Sequence, residues 1–272
     1  MTSSIRLVGI DVDGTLVGPS GVVNPKVWTA AERARDRGIH LTLCSGRPAF
    51  GLALDYARHL EPRGWHVFQN GASIVNLGSG ESRSTPLPRQ CVEQMLAQAR
   101  ETGRVLELYS DRDYVVESTS DWAREHAKLL GVPFEPRRFE SLQGPVVRAQ
   151  WLVTAAEADR TRATLPSGVE IAQSTSPLMP DTQFVGVTRK GVSKGSAMIA
   201  IAAEYHVELR DVMYIGDAGN DLPALGVVGH PVAMGDAAPA VRAVATHAVA
   251  PPDEGGVAEA LEIAMATHST AG

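Results

Sequence analysis

Cysteine is scarce in this chain: its 272 residues carry two, Cys44 and Cys91. Two cysteines build neither a disulfide framework nor a multi-cysteine zinc site, so both are expected as small buried hydrophobes in a reducing compartment. Basic excess is missing too. Lys and Arg number 25 against 31 Asp and Glu, a formal charge of −6, which argues against general nucleic-acid binding and leaves an anionic ligand to local cations or a bound metal. No apolar run approaches the ~20 residues of a membrane span. The segment Met1-Thr2-Ser3-Ser4-Ile5-Arg6 lacks the basic and apolar regions of a signal peptide. The expectation is a cytoplasmic protein with neither a membrane nor a nucleic-acid partner. Repeats and low-complexity tracts are also absent, and the length allows one large or two ordinary domains.

What is present is concentrated at a few strand ends. The run Val8-Gly9-Ile10-Asp11-Val12-Asp13-Gly14-Thr15-Leu16 is apolar up to two aspartates one residue apart. In extended backbone, residues two apart point to the same side. Asp11 and Asp13 then aim two carboxylates at one spot beyond a buried strand, where open α/β sheets keep their ligands. Asp-Gly is also a strong hairpin signal, and this segment alone leaves both readings open. A second apolar strand, Val212-Met213-Tyr214-Ile215, ends in Gly216-Asp217-Ala218-Gly219-Asn220-Asp221. If both strands are central in one sheet, their carboxylates share a site and need a cation. An all-oxygen set suits magnesium. Taken singly, the second motif is equally a glycine-rich turn with solvated aspartates.

Between these strands the rhythm of elements changes twice. Residues 5 to 70 alternate strand and helix: a strand over Arg6–Ile10, a helix started by Asn24-Pro25 and ended by Gly38, a strand over Ile39–Cys44, a helix over Ala49–Leu60 and a strand near His66–Phe68. That alternation implies a right-handed parallel sheet. From about Arg83 to Asp181, strands at Arg104–Tyr109 and Tyr114–Glu117 follow each other with no helix between, which predicts an antiparallel sheet in an α+β insert. The parallel rhythm resumes with a helix over Ser193–Tyr205. The fold class expected is α/β, a Rossmann-like parallel-sheet core (1–82 and 182–272) with an inserted α+β cap domain (83–181) acting as a lid.

Two further turns carry chemistry. Lys194 lies in the first turn of a helix capped by Ser193, where a lysine opposes the helix macrodipole; a phosphate at that terminus accounts for it, as does a plain surface lysine. Ser45-Gly46-Arg47 follows a strand and offers a hydroxyl, a close backbone approach and a planar guanidinium to an anion. Read alone it is an ordinary Ser-Gly turn.

In order and spacing, Asp11-Val12-Asp13-Gly14-Thr15-Leu16, Ser45-Gly46-Arg47-Pro48, Lys194-Gly195 and Gly216-Asp217 through Asn220-Asp221 resemble the four motifs of the haloacid dehalogenase-like hydrolases. The insert, Asn70-Gly71-Ala72 and Val232 through Ala237 resemble the Cof-like phosphatase branch. The resemblance implies a phosphoric monoester hydrolase acting on a small phosphorylated metabolite, such as a sugar phosphate. It implies Asp11 as nucleophile forming an aspartyl phosphate, Asp13 as general acid and base with Thr15 orienting it, and Lys194 as the catalytic cation. Ser45, Gly46, Arg47, Lys194 and Asn220 would bind the phosphoryl group. The metal set is Asp11, Asp13, Asp217 and Asp221, with Asp13 acting through its carbonyl and Asp221 in support. The same nucleophile also fits a phosphomutase of the phosphomannomutase type. Arg137 and Arg138, in the insert, are candidates for leaving-group contact.

Overall fold

The computed structural model describes residues 4–176 and 179–267; Met1, Thr2 and Ser3 of the N-terminal segment considered above lie outside them. The chain divides into two compact units, Met1–Gly46 with Ala53–Arg83 and Ser193–Gly272, and Arg47–Leu52 with Ser84–Val192.

The first unit carries strands β1 (Leu7–Asp11), β2 (His40–Cys44), β3 (Trp65–Phe68) and β4 (Ser73–Asn76). The second carries β5 (Val105–Tyr109), β6 (Tyr114–Val116), β7 (Arg148–Val153), β8 (Val169–Ser176) and β9 (Met179–Arg189). The chain then returns to the first unit with β10 (Val212–Gly216), β11 (His230–Met234) and β12 (His247–Val249).

In the first unit the strand order is β12-β11-β10-β1-β2-β3-β4, parallel except for β4. This is a Rossmann-like parallel sheet. All five residues of β1 and of β10 are buried, as befits strands covered on both faces. The Pro25–Asp36 helix starts where Asn24 accepts a hydrogen bond from the Lys26 N–H and stops before Gly38. From β1 the order runs one way through β2 and β3, and from β10 the other way through β11 and β12. The sheet therefore reverses direction between β1 and β10, and at such a switch point the carboxyl ends of open α/β strands hold ligands.

The second unit is an α+β insert with strand order β6-β5-β7-β9-β8, antiparallel throughout. Leu106, Leu108, Val115, Trp151, Val185 and Val187 form one packed face with Met95 and Ala99 from the helix Arg89–Thr102. The other face holds a buried polar knot. The Glu107 carboxylate meets His126 Nδ1 at 2.8 Å and accepts the Tyr109 hydroxyl at 2.6 Å.

The insert reaches further than the boundary expected at residue 181. β9 runs to Arg189, paired to β7 and β8, and residues 182–192 group with the second unit. Arg83 stays with the first unit, where it pairs with Glu204. Both cysteines are buried and unbridged. Among the described residues no helix is long and apolar enough to cross a membrane.

Candidate active site

The two acidic motifs meet because their strands are neighbours. β1 pairs with β10 as far as Ile10 opposite Ile215, so the residues that end the two strands, Asp11 and Gly216, lie side by side with Asp217 just beyond. Asp11, Asp217 and Asp221 each place a carboxylate oxygen within 4.8 Å of the others. Two aspartates separated by more than 200 residues are thus joined by sheet topology alone.

The Asp13-Gly14 pair makes a tight turn and not a two-strand hairpin. Leu16 and Val17 donate backbone hydrogen bonds to the carbonyls of Asp11 and Val12, and Gly14 sits at φ +87°. A Cβ on Gly14 would lie 2.3 Å from Asp217 Oδ2. Both the left-handed backbone and the approach of the carboxylate demand glycine here. The same turn carries Thr15 onto Asp217, to whose Oδ1 its hydroxyl donates at 2.9 Å. Where Thr15 is expected to orient Asp13, its hydroxyl is here engaged by Asp217, on the β10 side. Asp13 itself is exposed.

Lys194 is not a surface lysine. It opens the helix Lys194–Glu204, capped by the Ser193 hydroxyl, and is 1% exposed. Its ammonium lies 2.5 Å from Asp11 Oδ1 and 2.7 Å from Asp221 Oδ1. The two carboxylates hold its pKa above the ordinary lysine value against the opposing effect of burial, so it stays charged.

Asp221 spends both oxygens on the protein. Oδ1 accepts from Lys194 and from the Tyr214 hydroxyl at 2.7 Å, and Oδ2 accepts the N–H groups of Asp217 and Ala218, each at 3.1 Å. Asp221 therefore anchors the loop that presents Asp217. Tyr214 belongs to no site motif of the sequence, although a hydroxyl-bearing residue in an otherwise aliphatic strand just before an acidic motif is a usable signal.

The electrostatics leave the site short of positive charge. Three carboxylates face one ammonium, and burial, the foremost cause in each case, pushes the pKa values of Asp11 and Asp217 upward. A divalent cation would offset the two uncompensated negative charges, and a donor set made wholly of oxygen fits a hard ion such as magnesium. Asp11 and Asp217 would hold it, with Asp221 fixing the lysine and the loop.

Ser45 is buried at the end of β2, its N–H bonded to the Val67 carbonyl at 2.9 Å. Gly46 ends the first unit's segment, and Arg47 begins the short stretch that belongs to the second unit. Asn220 donates its side-chain amide to Asn70 Oδ1 at 3.2 Å. Arg137 is tied to Asp113 and to the carbonyls of Tyr114 and Ser141, while Arg138 pairs with Glu140.

Comparison with known proteins identifies the family. The family model described as haloacid dehalogenase-like hydrolase matches residues 8–261. The chain is similar to an HMP-PP phosphatase of Escherichia coli, 26% identical with 89% of this chain and 88% of that protein covered. Among solved structures it is similar to a haloacid dehalogenase-like hydrolase from Bacteroides thetaiotaomicron, with TM-score 0.81, 25% identity, and 96% and 99% of the two chains covered. It is also similar to a subclass IIB sugar phosphatase, with TM-score 0.77, 26% identity, and 95% and 98% covered.

Proposed function

This chain belongs to the haloacid dehalogenase-like hydrolases, and from that premise we propose that it is a magnesium-dependent phosphatase that hydrolyses a small phosphorylated metabolite through an aspartyl phosphate. The observation that carries this reading is the buried ion pair of Lys194 with Asp11 at the switch point of the sheet. A cation that closely paired with a carboxylate neutralises charge on a phosphoryl group arriving there.

In the proposed reaction an Asp11 carboxylate oxygen attacks phosphorus, and the bond from phosphorus to the leaving oxygen breaks. Asp13, exposed and two residues along, gives its proton to that oxygen. It then takes a proton from water as the water oxygen attacks phosphorus and the bond to Asp11 breaks, which releases phosphate and restores Asp11 as a carboxylate and Asp13 as an acid. Lys194, Ser45, Gly46 and Asn220 bind the phosphoryl oxygens, with Arg47 as a further contact. Magnesium, held by Asp11, the Asp13 carbonyl and Asp217, supplies charge neutralisation. In this proposal the second unit carries the residues that choose the leaving group.

HMP-PP and sugar phosphates, the compounds in the names of the similar proteins, head the substrate panel. The test is phosphate release from a panel of phosphorylated metabolites with magnesium present. Release from a subset supports the reading. Isomerised sugar phosphate without net release, dependent on a sugar bisphosphate, would mark a phosphomutase instead.

A further inference from the structure

The segment after β3 has the least ordinary backbone among the described residues. Gln69, Asn70 and Gly71 have φ of +54°, +55° and +105° in succession. Asparagine tolerates the left-handed region better than most residues, but glutamine has no such advantage. Two adjacent non-glycine residues persist there only where the surroundings fix them, and such outliers cluster at functional sites.

What surrounds the turn is the set of segments assigned above to the phosphoryl group. The Asn70 N–H donates to the Ser45 carbonyl at 2.9 Å. A Cβ on Gly46 would stand 3.1 Å from Asn70 Oδ1. A Cβ on Gly71 would stand 2.2 Å from the carbonyl oxygen of Ser193, the cap of the Lys194 helix, so glycine permits that approach. Asn70 Oδ1 accepts the Asn220 side-chain amide at 3.2 Å, a bond across 150 residues of chain. One three-residue turn thus touches the end of β2, the start of the Lys194 helix and the loop after β10.

We propose that Asn70 is a positioning residue for phosphoryl transfer: its carboxamide orients Asn220, and its left-handed backbone locks the Ser45-Gly46 turn at a fixed spacing from Lys194. The inference rests on the reading of Ser45, Lys194 and Asn220 as phosphate-binding. The chemistry explains the residue type. Glycine supplies the backbone but no acceptor for Asn220, and alanine supplies neither. Asparagine supplies both.

The test is a double-mutant cycle read in two ways with magnesium present, as kcat and KM on an aromatic phosphate ester and as the affinity for inorganic phosphate by calorimetry. Asn70→Gly suits the positive φ and should melt at the wild-type temperature, yet lose about ten- to a hundred-fold in kcat/KM and bind phosphate more weakly. The double variant Asn70→Gly with Asn220→Ala should be no worse than Asn220→Ala alone by more than about two-fold, because the two act as one unit. Asn70→Asp keeps both the backbone preference and the acceptor. In that background Asn220→Ala should cost as much as it does in the wild type.

Wild-type behaviour of Asn70→Gly, or losses that multiply in the double variant, would overturn the proposal. If the wild type binds phosphate but hydrolyses no ester, the assigned activity fails and the cycle in phosphate affinity still decides the role of Asn70. If the wild type binds no phosphate, both are overturned.

Discussion

Lys194 Nζ lies 2.5 Å from Asp11 Oδ1, with both side chains almost wholly shielded from water. A buried ammonium so placed supports folding and chemistry at once, and the two roles separate on substitution. Lys194→Met leaves the Asp11 and Asp221 carboxylates facing each other without the ammonium between them. Breaking a buried pair from one side costs about 3–5 kcal/mol, so urea unfolding without metal should show a loss of that order. The variant that remains folded in magnesium should lose about 10²–10³-fold in kcat. A stable variant with wild-type kcat would remove the lysine from the account.

Metal removal should act through Asp11 and Asp217. Exhaustive chelation should abolish phosphate release, magnesium should restore it, and calcium should restore it poorly, because its larger and looser coordination misplaces the nucleophile. Chelation should also lower the melting temperature, since the acidic cluster loses the ion that offsets it. Full activity after chelation would contradict the site as described.

His66 gives a prediction about stability that is independent of catalysis. Its Nδ1 accepts the Leu43 N–H at 3.1 Å and its Nε2 lies 2.8 Å from the Glu61 carbonyl, which fixes the neutral ring with its proton on Nε2. Burial lowers its pKa to about 4. Because the folded pKa lies below the unfolded value of about 6.5, the stabilisation is complete above pH ~6.5 and is lost as the pH falls toward 4. The full difference is roughly 3 kcal/mol. Unfolding midpoints between pH 4 and 7 should therefore fall more steeply for the wild type than for His66→Gln, and parallel profiles would refute the assignment.

Arg137 was a substrate candidate on sequence, and its bonds suggest a different experiment. It ties Asp113, the Tyr114 carbonyl at 2.7 Å and the Ser141 carbonyl at 3.0 Å into one knot. Arg137→Ala should destabilise the protein by about 1–3 kcal/mol and leave KM within about two-fold of the wild type. A raised KM at unchanged stability would return this arginine to the substrate.

The sequence disclosed what local chemistry encodes. Asp11 stops an apolar strand, Ser193 caps a helix whose first residue is Lys194, and strand and helix alternate around both. Partners made by tertiary contact stayed hidden. Thr15 points to Asp217 because of a turn whose direction depends on the neighbouring strand. Asp221 is engaged by Tyr214 and by two backbone N–H groups in addition to Lys194, a set that no spacing rule announces. β9 escaped because it begins with Met179-Pro180-Asp181-Thr182, a turn-like opening, and its pairing comes from β7 some thirty residues away. β4, four residues long, is held in place as the antiparallel edge beside β3.

The central claim is that Asp11 takes the phosphoryl group, and the most direct measurement is rapid acid quench of a single turnover with isotopically labelled phosphate ester, followed by mapping of the labelled peptide. The account predicts transient label on the peptide containing Asp11, and neither label nor appreciable turnover for Asp11→Asn, because an amide is a poor nucleophile toward phosphorus. Asp11→Asn hydrolysing the ester at a substantial fraction of the wild-type rate would contradict it.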